Sequence, residues 1–131
     1  MDILHINTRS RIDMVDITTQ VQTLIANKGW SDGILTLYVP HTTAGLTINE
    51  NADPDVRRDM IMEMNKVIPL EDGYHHLEGN SAAHIKTSLF GSSETLIIED
   101  GEIKLGTWQG IYFADFDGPR NRKIFLKFIS S

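Results

Sequence analysis

The chain has 131 residues, about the length of one domain, so residues 1–131 are predicted to form a single domain. It contains no cysteine, which excludes disulfide scaffolds, cysteine-ligated zinc and a thiol nucleophile. The formal net charge of −6 argues against nucleic acid as a partner. No apolar run approaches the ~18 residues that a membrane-spanning helix needs. Since the N-terminus also lacks the features of a signal peptide, the predicted location is cytoplasmic, away from membranes.

The first forty residues predict a strand, a helix and a second strand. Apolar and polar residues alternate roughly over residues 2–16, which is typical of a strand. Apolar residues at helical spacing predict a helix over residues 18–28, with Thr18 as its cap and Gly29 just past its end. The apolar run over residues 33–39 predicts a buried strand.

A second alternation runs from His41 to Asn49. In an extended strand the two sets of side chains point to opposite faces, so one set packs and the other is polar. The polar set has two interpretations: an ordinary surface strand, or the lining of a site, because Thr, Asn and His both donate and accept hydrogen bonds on short stems. The mainly apolar set is Thr42, Ala44, Leu46 and Ile48, and the polar set is His41, Thr43, Thr47 and Asn49.

The middle of the chain predicts two helices separated by a loop. Asp53-Pro54-Asp55 marks a helix start, with Asp53 as the cap and Pro54 in the first turn, and Pro69 ends that helix. A loop over residues 69–79 then precedes a shorter helix over residues 81–90. The first helix carries an apolar stripe that is predicted to pack in the core: Val56, Met60, Met64 and Val67.

The last third of the chain predicts antiparallel strands. Asp100-Gly101 is typical of a tight hairpin turn. Local hairpins together with about three short helices predict an α+β fold with a mostly antiparallel sheet or sandwich. The predicted strands cover residues 94–99, 103–105, 110–116 and 123–129.

Histidines are the first candidates for chemistry. Neutral imidazole is the commonest metal ligand, and a catalytic zinc often takes three protein ligands plus an open position. His41 at a strand edge, one of His75 and His76 on the loop, and His84 early in a helix are candidates for such a set. The alternative is that these are unrelated surface and capping histidines.

Three further groups are candidates, each with a structural alternative. Glu50 is a candidate general base or a support for a metal ligand, or it belongs to a cluster that turns the chain and caps the helix. Trp108 and Gln109 are suited to stacking on and hydrogen-bonding a planar ring, or they form a bulge between strands. Arg120 and Arg122 are suited to phosphate oxygens, or they are solvated residues of a turn.

Four segments together resemble the signatures of one protein family, the YjbQ-like family, also called the secondary thiamine-phosphate synthase family. They cover residues 41–57, 78–88, 106–110 and 116–120, and they occur in the order that the family shows. The resemblance implies an α+β fold, a homotrimer and a histidine cluster that holds a divalent metal. It also implies weak thiamine-phosphate synthase activity, in which hydroxymethylpyrimidine diphosphate is joined to thiazole phosphate and pyrophosphate is released.

Carried over to this sequence, the resemblance implies His41, His84 and His76 as the metal ligands, with His75 as the alternative to His76. Zinc suits three imidazoles better than magnesium does, although magnesium remains an option with a diphosphate substrate. The leading hypothesis is a metal-assisted transferase on small phosphorylated heterocycles, with Glu50 as the base. The residues expected to contact substrate are Thr43, Asn49, Trp108, Gln109 and Arg120.

Two other hypotheses remain open at this point. A histidine-bound zinc with an open position also suits hydrolysis, which predicts a zinc-dependent hydrolase of unknown substrate. A closed metal site instead predicts a trimeric metal-binding module without catalytic activity.

Overall fold

A computed structural model describes residues 1–131 and shows an α+β fold with eight strands and three helices, which confirms the predicted fold class. No helix is both long and apolar enough to cross a bilayer. In chain order the elements are β1 (Asp2–Asn7), β2 (Asp13–Asp16), α1 (Thr18–Lys28), β3 (Gly33–Tyr38), β4 (Ala44–Glu50), α2 (Pro54–Val67), α3 (Ser81–Phe90), β5 (Ser93–Glu99), β6 (Glu102–Ile103), β7 (Gln109–Asp115) and β8 (Asn121–Ser130).

The strands form two antiparallel sheets that face each other. Sheet A has the order β1-β8-β3-β5-β6, and sheet B has the order β2-β7-β4. Their inner faces and α1 enclose the main core, because every second residue of each strand points inward. The fully buried members of this core include Ile17, Val21, Ile25, Leu35, Leu37, Leu46, Ile111, Phe113, Ile124 and Leu126.

The other face of sheet B is covered by α2 and α3, which pack there around Tyr112 and Phe116. Met60 and Ile61 of α2 contact this second cluster, but no residue of α2 is fully buried. Val67, predicted to lie in the core, is 64% exposed. A β-carbon at Gly45 would lie 2.6 Å from the carbonyl oxygen of Gly91, so only glycine lets β4 approach the end of α3 this closely.

Helix starts follow the sequence signals at α2 but not at α1. The Asp53 carboxylate accepts a hydrogen bond from the Asp55 amide at 2.9 Å, and Pro54 opens the first turn, as predicted. At α1 the prediction that Thr18 is the cap is wrong. The Asp16 carboxylate accepts from the Thr18 amide, while the Thr18 hydroxyl accepts from the Ile111 amide and so ties α1 to β7.

A buried ion pair joins the two sheets at one end. Arg122 of β8 donates to both carboxylate oxygens of Asp115 of β7, at 3.0 and 2.7 Å, and Asp115 is fully buried. Thr8, just after β1, donates its hydroxyl to Asp115, and Arg122 also donates to the Thr43 hydroxyl just before β4. Four segments from both sheets therefore meet in one hydrogen-bonded network.

The network determines the charge state of Asp115. Burial disfavours the carboxylate, but hydrogen bonds from Arg122, Thr8 and the Asp117 amide outweigh this effect. The pKa of Asp115 therefore lies below its ordinary value of 3.8.

Replacing Asp115 by asparagine is expected to destabilise the protein by about 3–5 kcal/mol, because Arg122 then remains buried without a countercharge. The matched control is Asp55→Asn, which removes an exposed pair with Arg58 and is expected to cost less than about 1 kcal/mol. Urea denaturation of both variants measures the difference, and equal costs would show that the buried pair adds nothing beyond a surface pair.

Acid is expected to destabilise the native protein partly through Asp115. Since its folded pKa is below 3.8, the unfolded chain takes up the proton first as the pH falls, and stability is lost from about pH 3.8 downward. Asp115→Asn lacks this contribution, so its free energy of unfolding should fall less steeply over the same acidic range. Denaturation curves at a series of pH values test this, and parallel slopes would contradict it.

Candidate functional site

A surface cleft beside α3 brings two of the predicted histidines together. His84 lies on α3, and His76 lies on the loop that precedes this helix. Their ring centroids are 5.5 Å apart and their planes are perpendicular. The loop is anchored by the Tyr74 hydroxyl, which donates to the Pro69 carbonyl oxygen at 2.7 Å. The two imidazoles therefore face the same open cleft.

His75 lines the same cleft, as the alternative assignment of the third histidine anticipated. Only His76, however, has its ring packed edge-on against His84. His76 Nε2 also lies 3.9 Å from the Glu78 carboxylate. These contacts make His76 the better partner for His84 in this arrangement.

His41 occupies a neighbouring cleft rather than this one. It lies between β3 and β4, and its Nε2 accepts a hydrogen bond from the Lys123 amide at 3.0 Å. Burial and the nearby charge of Arg122 lower the pKa of His41 below its ordinary value of 6.5. His41 is therefore held as a neutral imidazole with Nε2 already engaged.

The two clefts lie along the same face of α3. The cleft of His41 is lined by Ser88, which is one helical turn beyond His84 and donates its hydroxyl to the His84 carbonyl oxygen. No three histidines or acidic residues of the chain are close enough together to hold a metal ion. A single chain thus presents two imidazoles of the predicted set together and the third in the neighbouring cleft.

Arg120 is connected to the N-terminal end of α3 through Asp117. It donates to the Asp117 carboxylate at 3.1 Å and to the Asp117 carbonyl oxygen at 2.8 Å. Asn80, directly before α3, donates to the same carboxylate at 3.0 Å. Ser81, the next residue, lines the histidine cleft, so Asp117 and Asn80 connect the Arg120 side chain, which is 55% exposed, to the start of the helix beside that cleft.

Thr43 is buried in the network that joins the two sheets. It is 6% exposed, and its hydroxyl accepts from Arg122 at 2.8 Å. The hydrogen bond from Arg122 explains why a polar residue is found at position 43, and no contact with substrate is needed to explain it. Thr43 positions the segment that carries His41.

The remaining candidates lie at the opposite end of sheet B. Ala44 pairs with Asp115 at one end of the β4–β7 ladder, whereas Asn49 and Glu50 pair with Gly110 and Gln109 at the other. At ~3.3 Å per residue these ends are roughly 20 Å apart. One chain therefore does not bring Asn49, Glu50, Trp108 and Gln109 to the histidine cleft.

Three of these side chains are engaged locally. Glu50 accepts from the Asp53 amide at 3.2 Å, which matches the capping alternative for this acidic cluster. Gln109 accepts from the Gly106 amide at 2.7 Å, and Asn49 accepts from the Glu50 amide at 2.7 Å. Trp108 is 63% exposed at the tip of the turn and is free to contact another molecule.

Sequence reasoning missed Lys86, which is only 3% exposed although it is charged. The signal was available: Lys86 follows Ala82 and Ala83 at spacings of four and three, which places it on their buried face. Asn80 and Asp117 were also missed, because turn residues are usually exposed and give no sign of a shared contact.

Known proteins match this chain over nearly its whole length. The family model described as UPF0047 protein YjbQ-like matches residues 2–131. A UPF0047 protein of Methanocaldococcus jannaschii is 55% identical over 125 residues, which cover 95% of this chain and 91% of that protein. The UPF0047 protein YugU of Bacillus subtilis is 50% identical, with 95% of each chain covered.

Solved structures agree with the fold. A crystal structure of a YjbQ/UPF0047 family protein from Clostridium acetobutylicum has a TM-score of 0.94 at 53% identity and covers 98% of this chain and 100% of that one. The conserved hypothetical protein TT1486 from Thermus thermophilus has a TM-score of 0.92 at 37% identity, with the same coverage. Sequence, motif order and fold agree, and the chain belongs to the YjbQ-like UPF0047 protein family.

Proposed function

We propose that this protein is a cytoplasmic, metal-assisted enzyme that acts on a small phosphorylated heterocycle and has weak thiamine-phosphate synthase activity. The observation that carries the proposal is the pair of imidazoles of His76 and His84, which pack edge-on against each other and line one open cleft beside α3. The resemblance of four sequence segments to the secondary thiamine-phosphate synthases supplies the reaction.

His76 and His84 suit a divalent metal, and His41 is the proposed third ligand. His76 and His84 already line one cleft, and His41 is neutral, as a ligand must be. The one free lone pair of His41, on Nε2, however, accepts from the Lys123 amide. His41 also lines a separate, neighbouring cleft. A complete site therefore requires that Nε2 be released and that the two clefts, of one chain or of two, be brought together. A bound metal ion, zinc or magnesium, would neutralise negative charge on the diphosphate.

Arg120 is the proposed phosphate-binding residue of this chain. Its guanidinium is held at Asp117, beside the start of α3, and more than half of its side chain is exposed. A guanidinium so placed binds two phosphate oxygens at once and neutralises the leaving pyrophosphate. Asp117 orients it in the absence of substrate.

A homotrimer is part of the proposal, and the outer face of sheet A is its proposed interface. Ile34 lies between its cross-strand neighbours Ile97 and Ile129, and all three are at least 40% exposed. Tyr38 and Phe125 stack beside them with centroids 6.5 Å apart. An apolar band across several neighbouring strands is typical of a surface that another subunit covers.

A site shared between subunits is a further part of the proposal. Trp108 and Gln109, with Asn49 and Glu50, lie about 20 Å from the histidine end of their own sheet, so they reach a histidine cleft only on a neighbouring subunit. Exposed Trp108 would then stack on a pyrimidine ring, with Glu50 as the proposed base. Enzyme pockets often form at such interfaces.

A zinc-dependent hydrolase is the second candidate. The observation that favours it is that the proposed ligands are all imidazoles in an open cleft, a donor set that suits zinc better than magnesium and leaves room for water. Hydrolysis of generic phosphomonoesters and esters without condensation would favour this candidate. Metal binding without either reaction would favour a non-catalytic trimeric metal-binding module.

His84→Ala is expected to abolish stoichiometric metal binding and the condensation activity while leaving the fold intact, because it removes one of the two facing imidazoles. Elemental analysis of untagged protein measures the metal, and release of pyrophosphate from the two substrates measures the activity. His5→Ala is the matched control, since His5 lies exposed on β1 and does not line the cleft of His76 and His84. Retention of both metal and turnover in His84→Ala would overturn the proposed site.

Ile34→Lys is expected to dissociate the trimer, because it buries a charge at the centre of the proposed interface. Light scattering after size-exclusion chromatography should give a mass near three times the 14.8 kDa chain for the native protein and near one chain for the variant. Met62→Lys on α2 makes the same kind of change at another exposed apolar residue and should remain trimeric. A native mass of one chain would contradict the proposal outright.

A further inference from the structure

A second cavity lies on the side of α3 that faces away from His84. Its volume is about 230 Å³, and it lies between α2, α3 and the residues that follow β7. Lys86 and His84 are two residues apart on one helix, so their side chains diverge by roughly 200°. The cavity is therefore separate from the histidine cleft.

Lys86 points a buried positive charge into this cavity. It is 3% exposed, and its ammonium donates one hydrogen bond, at 2.6 Å, to the side-chain oxygen of Asn65 on α2. An ammonium has three protons, so two are left without a partner in the chain. None of the salt bridges of the chain includes Lys86, so its ammonium has no countercharge. A buried charge without a counterion is costly, so an anion bound here would stabilise the protein.

Asn80 adds an unpartnered acceptor to the wall of the same cavity. Its side-chain nitrogen donates to the Asp117 carboxylate at 3.0 Å, which fixes the orientation of the amide. Its side-chain oxygen is buried and accepts no hydrogen bond. A buried acceptor in this state suits a ligand that brings a hydroxyl proton.

The rest of the wall limits the size and polarity of the occupant. Arg11 lies at the rim, 58% exposed, where it is 3.6 Å from the Asp117 carboxylate. Leu70, Ala82 and Phe116 are among the apolar residues that line the cavity. At ~30 Å³ for each water-sized group, the space of about 230 Å³ holds a molecule of at most about eight heavy atoms.

We propose that this cavity binds a small organic anion that carries an oxyanion group and a hydroxyl group. The oxyanion accepts hydrogen bonds from the Lys86 ammonium, and the hydroxyl donates to the side-chain oxygen of Asn80. This site is separate from the histidine cleft of the proposed metal-assisted reaction, because it uses the opposite face of α3.

Glycolate is the probe, and acetate, which lacks the hydroxyl, is its matched control. Each is titrated into the full-length protein while backbone amide shifts are recorded by NMR and the melting temperature is followed. We expect glycolate to shift the amides of Ala82 and Ala83, to raise the melting temperature, and to bind more tightly than acetate. Equal affinities for the two probes would overturn the assignment of Asn80.

Lys86→Met is expected to weaken glycolate binding on the order of 10- to 100-fold, because it removes charge-assisted hydrogen bonds. Lys66→Met, the same change at an exposed position of α2, should bind as the native protein does. His84→Ala should also retain binding, which separates this cavity from any glycolate held by a metal in the histidine cleft.

Two further results would overturn the proposal. One is undiminished glycolate binding by Lys86→Met. The other is that the native protein shows amide shifts only around the histidine cleft and that His84→Ala no longer binds glycolate. Should Lys86→Met fail to fold, Leu70→Trp provides an independent test. It fills the mouth of the cavity from an exposed loop position and keeps Lys86, so it should reduce glycolate affinity to a similar extent.

Discussion

The buried pair of Asp115 and Arg122 is the interaction on which the candidate site depends. It crosses between the two sheets, and through Thr43 it also fixes the segment that enters β4. His41 lies two residues before Thr43 and accepts from the amide that follows Arg122, so its position is set by the same network. Because a buried charge is costly without its partner, these segments are fixed relative to one another.

Helix α3 separates two different chemical environments. One face carries His84 and Ser88 along open clefts, where imidazoles are available to a metal ion. The other face carries Lys86 into a small enclosed space beside α2. Asn80 and Asp117 join the two sides at the start of the helix, and Asp117 also holds Arg120. A short helix thus positions most of the groups that could bind a ligand within one chain.

Local signals predicted the elements well where the relevant interactions are themselves local. The cap at Asp53 with Pro54 fixed the start of α2, and the hairpin at Asp100-Gly101 has the positive φ angles that its turn requires. The signals failed where a distant partner decides. Thr18 is drawn away from capping by the Ile111 amide, and Val67 stays exposed because α2 lies on the outside of the sheet rather than inside the core.

The sequence by itself determined most of the elements in their order and the four motifs that mark the family. It failed at residues 2–16, where the single predicted strand is in fact β1 and β2, which lie in different sheets. The alternation predicted the buried Ala44 and Leu46 of β4, but it was wrong just before the strand, where Thr42 is exposed and Thr43 is buried. It also says only which face a side chain takes. Position along the strand and pairing with β7 place Thr43 and Asn49 at opposite ends of sheet B, and only the tertiary structure shows this separation. Only the tertiary structure shows that the rings of His76 and His84 are in contact while His41 lies elsewhere, and that Lys86 is buried. The reason is that such contacts depend on the packing of segments that are distant in the sequence.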